Sequence, residues 1–184
     1  MRFIPNIISI FRILLVPPVA LALLEMRYGL ALGLFLLAGI SDGLDGYLAR
    51  RYDWTTTLGA MLDPVGDKLL MVTSFLVLGW LGDLPWWLVI LVILRDVVIV
   101  TGAVFYRFLI GEVIFDPLLI SKINTVCQIL LVTVTLALLA GIELFAPWQP
   151  ILMYVVAATT LISGISYVTL WSKRAMEKSA AKQQ

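Results

Sequence analysis

Six apolar runs, each close to the roughly 20 residues a helix needs to cross the hydrocarbon of a bilayer, fill most of this 184-residue chain. They lie near 8–26, 28–49, 57–82, 85–109, 118–140 and 148–171. A soluble core of this size cannot absorb them. Hydrophobic residues make up 61% of the chain and charged ones 14%, against about 25% charge in an ordinary soluble domain. The expected fold is an all-α integral membrane protein: six transmembrane helices in a single bundle over residues 1–172, then a polar tail, 173–184, that is expected to fray. Pro5 and the Pro17-Pro18 pair are placed to start or kink the first helix. Leu84-Pro85-Trp86-Trp87 and Phe145-Ala146-Pro147-Trp148 read as turns followed by interfacial aromatic anchors.

The cations set the orientation. Arg2, Arg50, Arg51, Arg107, Lys122, Lys173, Arg174, Lys178 and Lys182 flank one side of a six-span layout, and Arg27 alone flanks the other, with Glu25, Asp83 and Glu143. By the positive-inside rule both termini are expected in the cytoplasm. Arg12 breaks the first apolar stretch and no small-residue cleavage site stands out, so no cleavable leader is expected. No organelle-targeting presequence is visible either, which makes a prokaryotic inner membrane the expected compartment.

The inventory restricts the chemistry. There is no histidine, hence no imidazole base, His triad or His-ligated zinc. Cys127 is the single cysteine and sits in an apolar run, where packing is its expected role. A net charge of +1 points to no nucleic-acid partner. Carboxylates, Arg/Lys and hydroxyls remain.

Five of the twelve acids fall between residues 42 and 67. Asp42 and Asp45 are three apart and Asp63 and Asp67 four apart, so each pair shares a helical face. Both pairs lie near the cytoplasmic ends of neighbouring spans joined by a short loop, and the faces are able to meet. Four carboxylates gathered in a membrane interior require compensating cations. Hard oxygen ligands suit Mg²⁺ or Mn²⁺; two ions would balance the charge and clamp phosphoryl oxygens. Gly46 and Gly59 lie on the same faces and leave room for a bulky ligand; Ala49 extends that strip, and Arg50 is placed to meet a phosphate. Simple pairing of the acids with Arg50, Arg51 or Lys68 is the structural alternative. A cation conduit or divalent-cation transporter is the functional one.

Read in full, Asp42 to Asp67 is D-x2-D-G-x2-A-R-x8-G-x3-D-x3-D. It resembles the signature of the CDP-alcohol phosphotransferase family at all eight defined positions, and the six-span layout agrees with that family. The resemblance implies that Asp42, Asp45, Asp63 and Asp67 bind two divalent ions, and that Asp67 doubles as the base for the acceptor hydroxyl. It also implies that Gly46, Ala49, Arg50 and Gly59 surround a CDP moiety and its diphosphate, and that the protein forms a homodimer. The expected reaction transfers a phosphatidyl group from CDP-diacylglycerol to a glycerol-type hydroxyl, with CMP leaving.

Short stretches outside the signature bear on the acceptor. Asn6, Ser9 and Arg12 keep a three-residue rhythm that looks like the first segment of the family's phosphatidylglycerophosphate and cardiolipin synthases. Arg95, beside Asp96, falls mid-span as either a phosphate ligand or a counter-charge to the cluster; the two neighbours need not pair with each other. Ser121-Lys122-Ile123-Asn124-Thr125 keeps Lys122 and Thr125 of the Gly-Lys-x-Lys-Thr pattern seen in glycerol-3-phosphate users, but Asn124 replaces the second lysine. One cation fewer disfavours a phosphomonoester dianion. Arg12, Arg95, Lys122 and Asn124 are therefore the candidate acceptor residues. The preferred acceptor is phosphatidylglycerol, with glycerol 3-phosphate the close alternative.

Overall fold

The computed structural model describes the backbone of residues 4–52, 57–110 and 119–181, with side chains for 10–43, 66–102 and 119–170. Its helices are α1 (Ile4–Leu24), α2 (Tyr28–Tyr52), α3 (Thr57–Leu81), α4 (Trp86–Ile110), α5 (Leu119–Leu139) and α6 (Trp148–Ala181), with a 3₁₀ turn at Glu143–Phe145 before α6. Among the described residues there is no strand. Each apolar run lies on one helix. α1 begins ahead of its run because Pro5 occupies the first turn, where its missing N–H costs no hydrogen bond. Pro17 and Pro18 sit inside α1 without ending it. The polar tail departs from expectation: α6 runs on to Ala181. Residues 172–181 hold Lys, Arg, Ala, Met and Glu and neither Gly nor Pro, so local propensity carries the helix onward.

The three odd-numbered helices end alike. After α1, the Arg27 N–H bonds to the Ala22 carbonyl and the Met26 N–H to that of Leu23, a Schellman stop with Met26 left-handed at φ 56°. Gly82 (φ 87°) and Gly141 (φ 91°) hold the same place after α3 and α5, as the absence of a Cβ favours. The turns at 25–27 and 82–85 are too short for anything but reversal, so α1/α2 and α3/α4 are antiparallel hairpins. α1 packs on α2 and α3, α5 on α2 and α6, and α4 on α6. Val19, Leu23, Phe35, Phe75, Leu78, Leu88, Leu131 and Val156 form part of the shared core.

Outside this core the surface stays apolar: Leu14, Leu21, Leu76, Ile90, Leu94, Tyr154 and Ile165 are among the exposed large side chains. Trp80, Trp86, Trp87 and Trp148, all exposed, gather at the end of the bundle where α3 stops and α4 and α6 begin. Such patches and an aromatic girdle belong at a lipid boundary. Among the described residues, two helices are long and apolar enough to cross a membrane, Leu119–Leu139 and Trp148–Leu170; Ile10–Leu24 and Tyr28–Gly43 are apolar over shorter lengths.

Two predictions arise here. A Cβ on Gly79 would lie 2.9 Å from Val89 Cγ2, and valine has little rotamer freedom to yield. Gly79→Ala is expected to lower stability by about 1–3 kcal/mol, and adding Val89→Ala to recover part of it; thermal unfolding of both variants checks this. Asp83, in the α3–α4 turn, has its carboxyl pKa raised by burial, and its Oδ2 has no hydrogen-bond partner. A carboxyl whose folded pKa is raised opposes folding once the pH passes its unfolded value, about 3.9. Asp83→Asn is therefore expected to raise Tm at pH 7 by on the order of a degree, with the gain vanishing below pH 4.

Candidate active site

Arg12 on α1 is fully buried and joins the two helices that α1 packs against. Its Nη2 lies 2.7 Å from Asp42 Oδ1 on α2, and its Nη1 lies 2.5 Å from Asp67 Oδ1 on α3. Asp42 and Asp67 each lie ten residues from the helix end that faces residues 53–56, or about 15 Å along the axis. Equal depth lets one guanidinium bind both. The fork geometry of arginine suits two carboxylates, whose side chains are each 45% exposed beside a cavity of about 310 Å³ lined also by Gly39, Met71 and Thr125.

Asp45 lies on the α2 backbone one turn beyond Asp42, and Asp63 on α3 one turn before Asp67, the placement that helical periodicity gives residues sharing a face. Their side chains, with those of Gly46, Ala49, Arg50 and Gly59, lie outside the described residues, as do Asn6 and Ser9. Among the described residues no three acids, histidines or cysteines cluster as a metal site. Asp42 and Asp67 supply carboxylate oxygens of the kind that hard divalent cations take, and in this structure those oxygens are paired with Arg12.

A second polar chain runs from α3 to α6. Lys68 Nζ is 2.6 Å from Asp96 Oδ1 on α4, which also pairs with Arg95 Nη1 at 2.8 Å. Arg95 Nη2 donates to Ser121 Oγ on α5 and to Ser163 Oγ on α6, both at 2.5 Å. Adjacent Arg95 and Asp96 thus do pair, because the long arginine side chain folds back to its neighbour. The Arg95 guanidinium ties α4, α5 and α6 together.

The remaining acceptor candidates separate. Lys122 is exposed. Asn124 is fully buried, and its Oδ1 accepts from Thr159 and Thr160 on α6, each at 2.9 Å, which places that oxygen against α6. Arg12, assigned to the acceptor from sequence, has its guanidinium committed to the carboxylates. Gln128, a buried amide one turn beyond Asn124 on α5, was overlooked; a second amide one turn on in an apolar span was the available signal.

The model of one family, CDP-alcohol phosphatidyltransferase, matches residues 2–173. The chain belongs to this family. Among its relatives, the cardiolipin synthase (CMP-forming) of Rattus norvegicus is 32% identical over 180 residues, 89% of this chain and 60% of the rat protein. A probable phosphatidylglycerophosphate synthase of Mycobacterium tuberculosis is 32% identical over 176 residues, 89% of this chain and 78% of its own length. The chloroplastic CDP-diacylglycerol–glycerol-3-phosphate 3-phosphatidyltransferase 1 of rice is 34% identical over 182 residues, 89% and 55% respectively. The chain thus spans about 60% of the rat relative's length and little more than half of the rice one's.

Proposed function

We propose that this protein is a membrane-embedded phosphatidyltransferase that moves a phosphatidyl group from CDP-diacylglycerol to the glycerol hydroxyl of phosphatidylglycerol, forming cardiolipin and releasing CMP. The observation that carries this reading is the convergence of Asp42 and Asp67 of the signature on one buried cation. A buried guanidinium fixed between the acids suits an anion-transfer site and is a poor element for a cation conduit, which would have to pass that charge. All six helices span the bilayer in this reading, with the tryptophan girdle on the outer side and both termini and the carboxylate site towards the cytoplasm. The expected home is a prokaryotic inner membrane, and a homodimer the expected assembly.

Asp42, Asp45, Asp63 and Asp67 would hold two Mg²⁺ or Mn²⁺ ions, which when bound neutralise the diphosphate and acidify an alcohol. Arg50 would bind the diphosphate in this reading, and Gly46, Ala49 and Gly59 would surround the CDP group. Asp67 takes the proton of the acceptor hydroxyl as its oxygen bonds to the phosphatidyl phosphorus. The bond from that phosphorus to the CMP oxygen breaks, and CMP leaves as the anion. Arg12 links Asp67 and Asp42 and would share them with the bound ions.

Phosphatidylglycerol is preferred on the α5 motif alone, in which Asn124 stands where the glycerol-3-phosphate users carry a second lysine, since the Asn124 side chain itself packs against α6. Glycerol 3-phosphate is the second reading, favoured by equal similarity to the mycobacterial relative. Product analysis decides between them. Purified protein given CDP-diacylglycerol and both acceptors is expected to make cardiolipin in excess; phosphatidylglycerophosphate as the sole product would transfer the assignment to the second acceptor.

A further inference from the structure

Gln128 is 4% exposed, and its Nε2 has no hydrogen-bond partner among the described residues. An amide donor is costly to bury unpaired. It lines, with Asp67, Lys68, Met71, Asp96 and Thr125, a cavity of about 190 Å³ between α3, α4 and α5. At roughly 30 Å³ per water-sized group, the space holds about six such groups, the size of a glycerol unit. Its polar lining mixes acceptors (the carboxylates of Asp67 and Asp96) with donors (Lys68 and the Gln128 amide). The lysine charge is already matched by Asp96 at 2.6 Å, and Asp96 also holds Arg95. The side chains of the lining offer a phosphate dianion two carboxylates and no surplus cation, so such a group would depend on the ions proposed at Asp67. A neutral diol meets a partner for each hydroxyl, since a hydroxyl both donates and accepts.

We propose that this cavity receives the terminal glycerol of the acceptor, and that the Gln128 amide is the specificity-determining donor that reads it. This deepens the transferase reading and rests on it for the identity of the acceptor. Because Asp67 lines the same cavity, a glycerol hydroxyl held by Gln128 lies beside the group assigned to take its proton. Asn124 Nδ2, on the same stripe of α5, is likewise unpaired among the described residues, but Asn124 does not line this cavity and Gln128 does.

The test uses the full chain in detergent micelles and the water-soluble headgroup sn-glycero-3-phosphoglycerol, with glycerol 3-phosphate for comparison. The unaltered protein is expected to bind the first more tightly. Gln128→Leu is expected to weaken that binding about tenfold, the loss of one hydrogen bond, and to raise KM for phosphatidylglycerol by a similar factor while KM for CDP-diacylglycerol holds. Gln128→Met, of similar length and without a donor, carries the test if the leucine variant does not fold. Equal headgroup affinity in variant and parent, or no binding by the parent, overturns the subsite. A parent that binds the headgroup but releases no CMP keeps the subsite and refutes the transferase reading instead.

Discussion

Replacing Asp67 with asparagine is expected to lower CMP release by at least about 10³-fold while leaving the protein folded. A positioned general base contributes on the order of 10²–10⁴ in rate, and Asp67 is also one of the four proposed cation ligands. Asparagine keeps the volume and an oxygen able to accept from Arg12 Nη1, now 2.5 Å from Asp67, so packing is kept while the ionic character of that contact is lost. Steady-state CMP release and thermal unfolding, measured on the same preparation, separate the two effects. Turnover within tenfold of the parent would remove Asp67 as the base. Loss of the cooperative unfolding transition would make it a structural counter-ion.

Arg12→Met is expected to act in the opposite sense, first on stability. Methionine fills much of the space of a fully buried side chain, but Asp42 and Asp67 then face each other without their shared cation. Breaking a buried ion pair typically costs about 3–5 kcal/mol. With both acids 45% exposed, the lower end of that range applies. Added Mg²⁺ or Mn²⁺ is expected to raise the variant's Tm by more than it raises the parent's, because a divalent ion supplies the charge the arginine provided and no longer competes with it. Equal shifts in parent and variant would mean that the ion and Arg12 do not share these carboxylates.

Much of this was legible in the sequence for one physical reason: a long helix whose side chains are mostly apolar shows as a long apolar run, even where Arg12, Asp42, Asp67 or Arg95 interrupts it. That places α1 to α6. Their ends were less legible. The tail after residue 172 is polar, and polarity was read as fraying, whereas its helix-forming residues extend α6. In the site, the spacing of Asp42, Asp45, Asp63 and Asp67 foretold shared faces because it depends only on the 3.6-residue turn. The partner of those faces was not foretold. Nothing local says that Arg12, 55 residues from Asp67 in sequence, reaches both acids; that follows from α1 packing against α2 and α3 together. Arg95 shows the same limit. Its burial follows from its place mid-helix, but its bonds to Ser121 and Ser163 are set by how α4, α5 and α6 meet. Asn124 was read by its position in a motif, and the neighbouring threonines of α6 decide what its oxygen does.

The central claim is that a carboxylate-lined, cation-dependent site cleaves a CDP-linked phosphate. Its most direct test is CMP release by the purified protein from CDP-diacylglycerol, with Mg²⁺ or Mn²⁺ present or chelated, and with phosphatidylglycerol and glycerol 3-phosphate supplied separately. CMP is expected only when the ion is present, fastest with phosphatidylglycerol, and at least about 10³-fold slower from the Asp67→Asn protein. A folded parent protein that releases no CMP with either alcohol, or releases it equally after chelation, would contradict it.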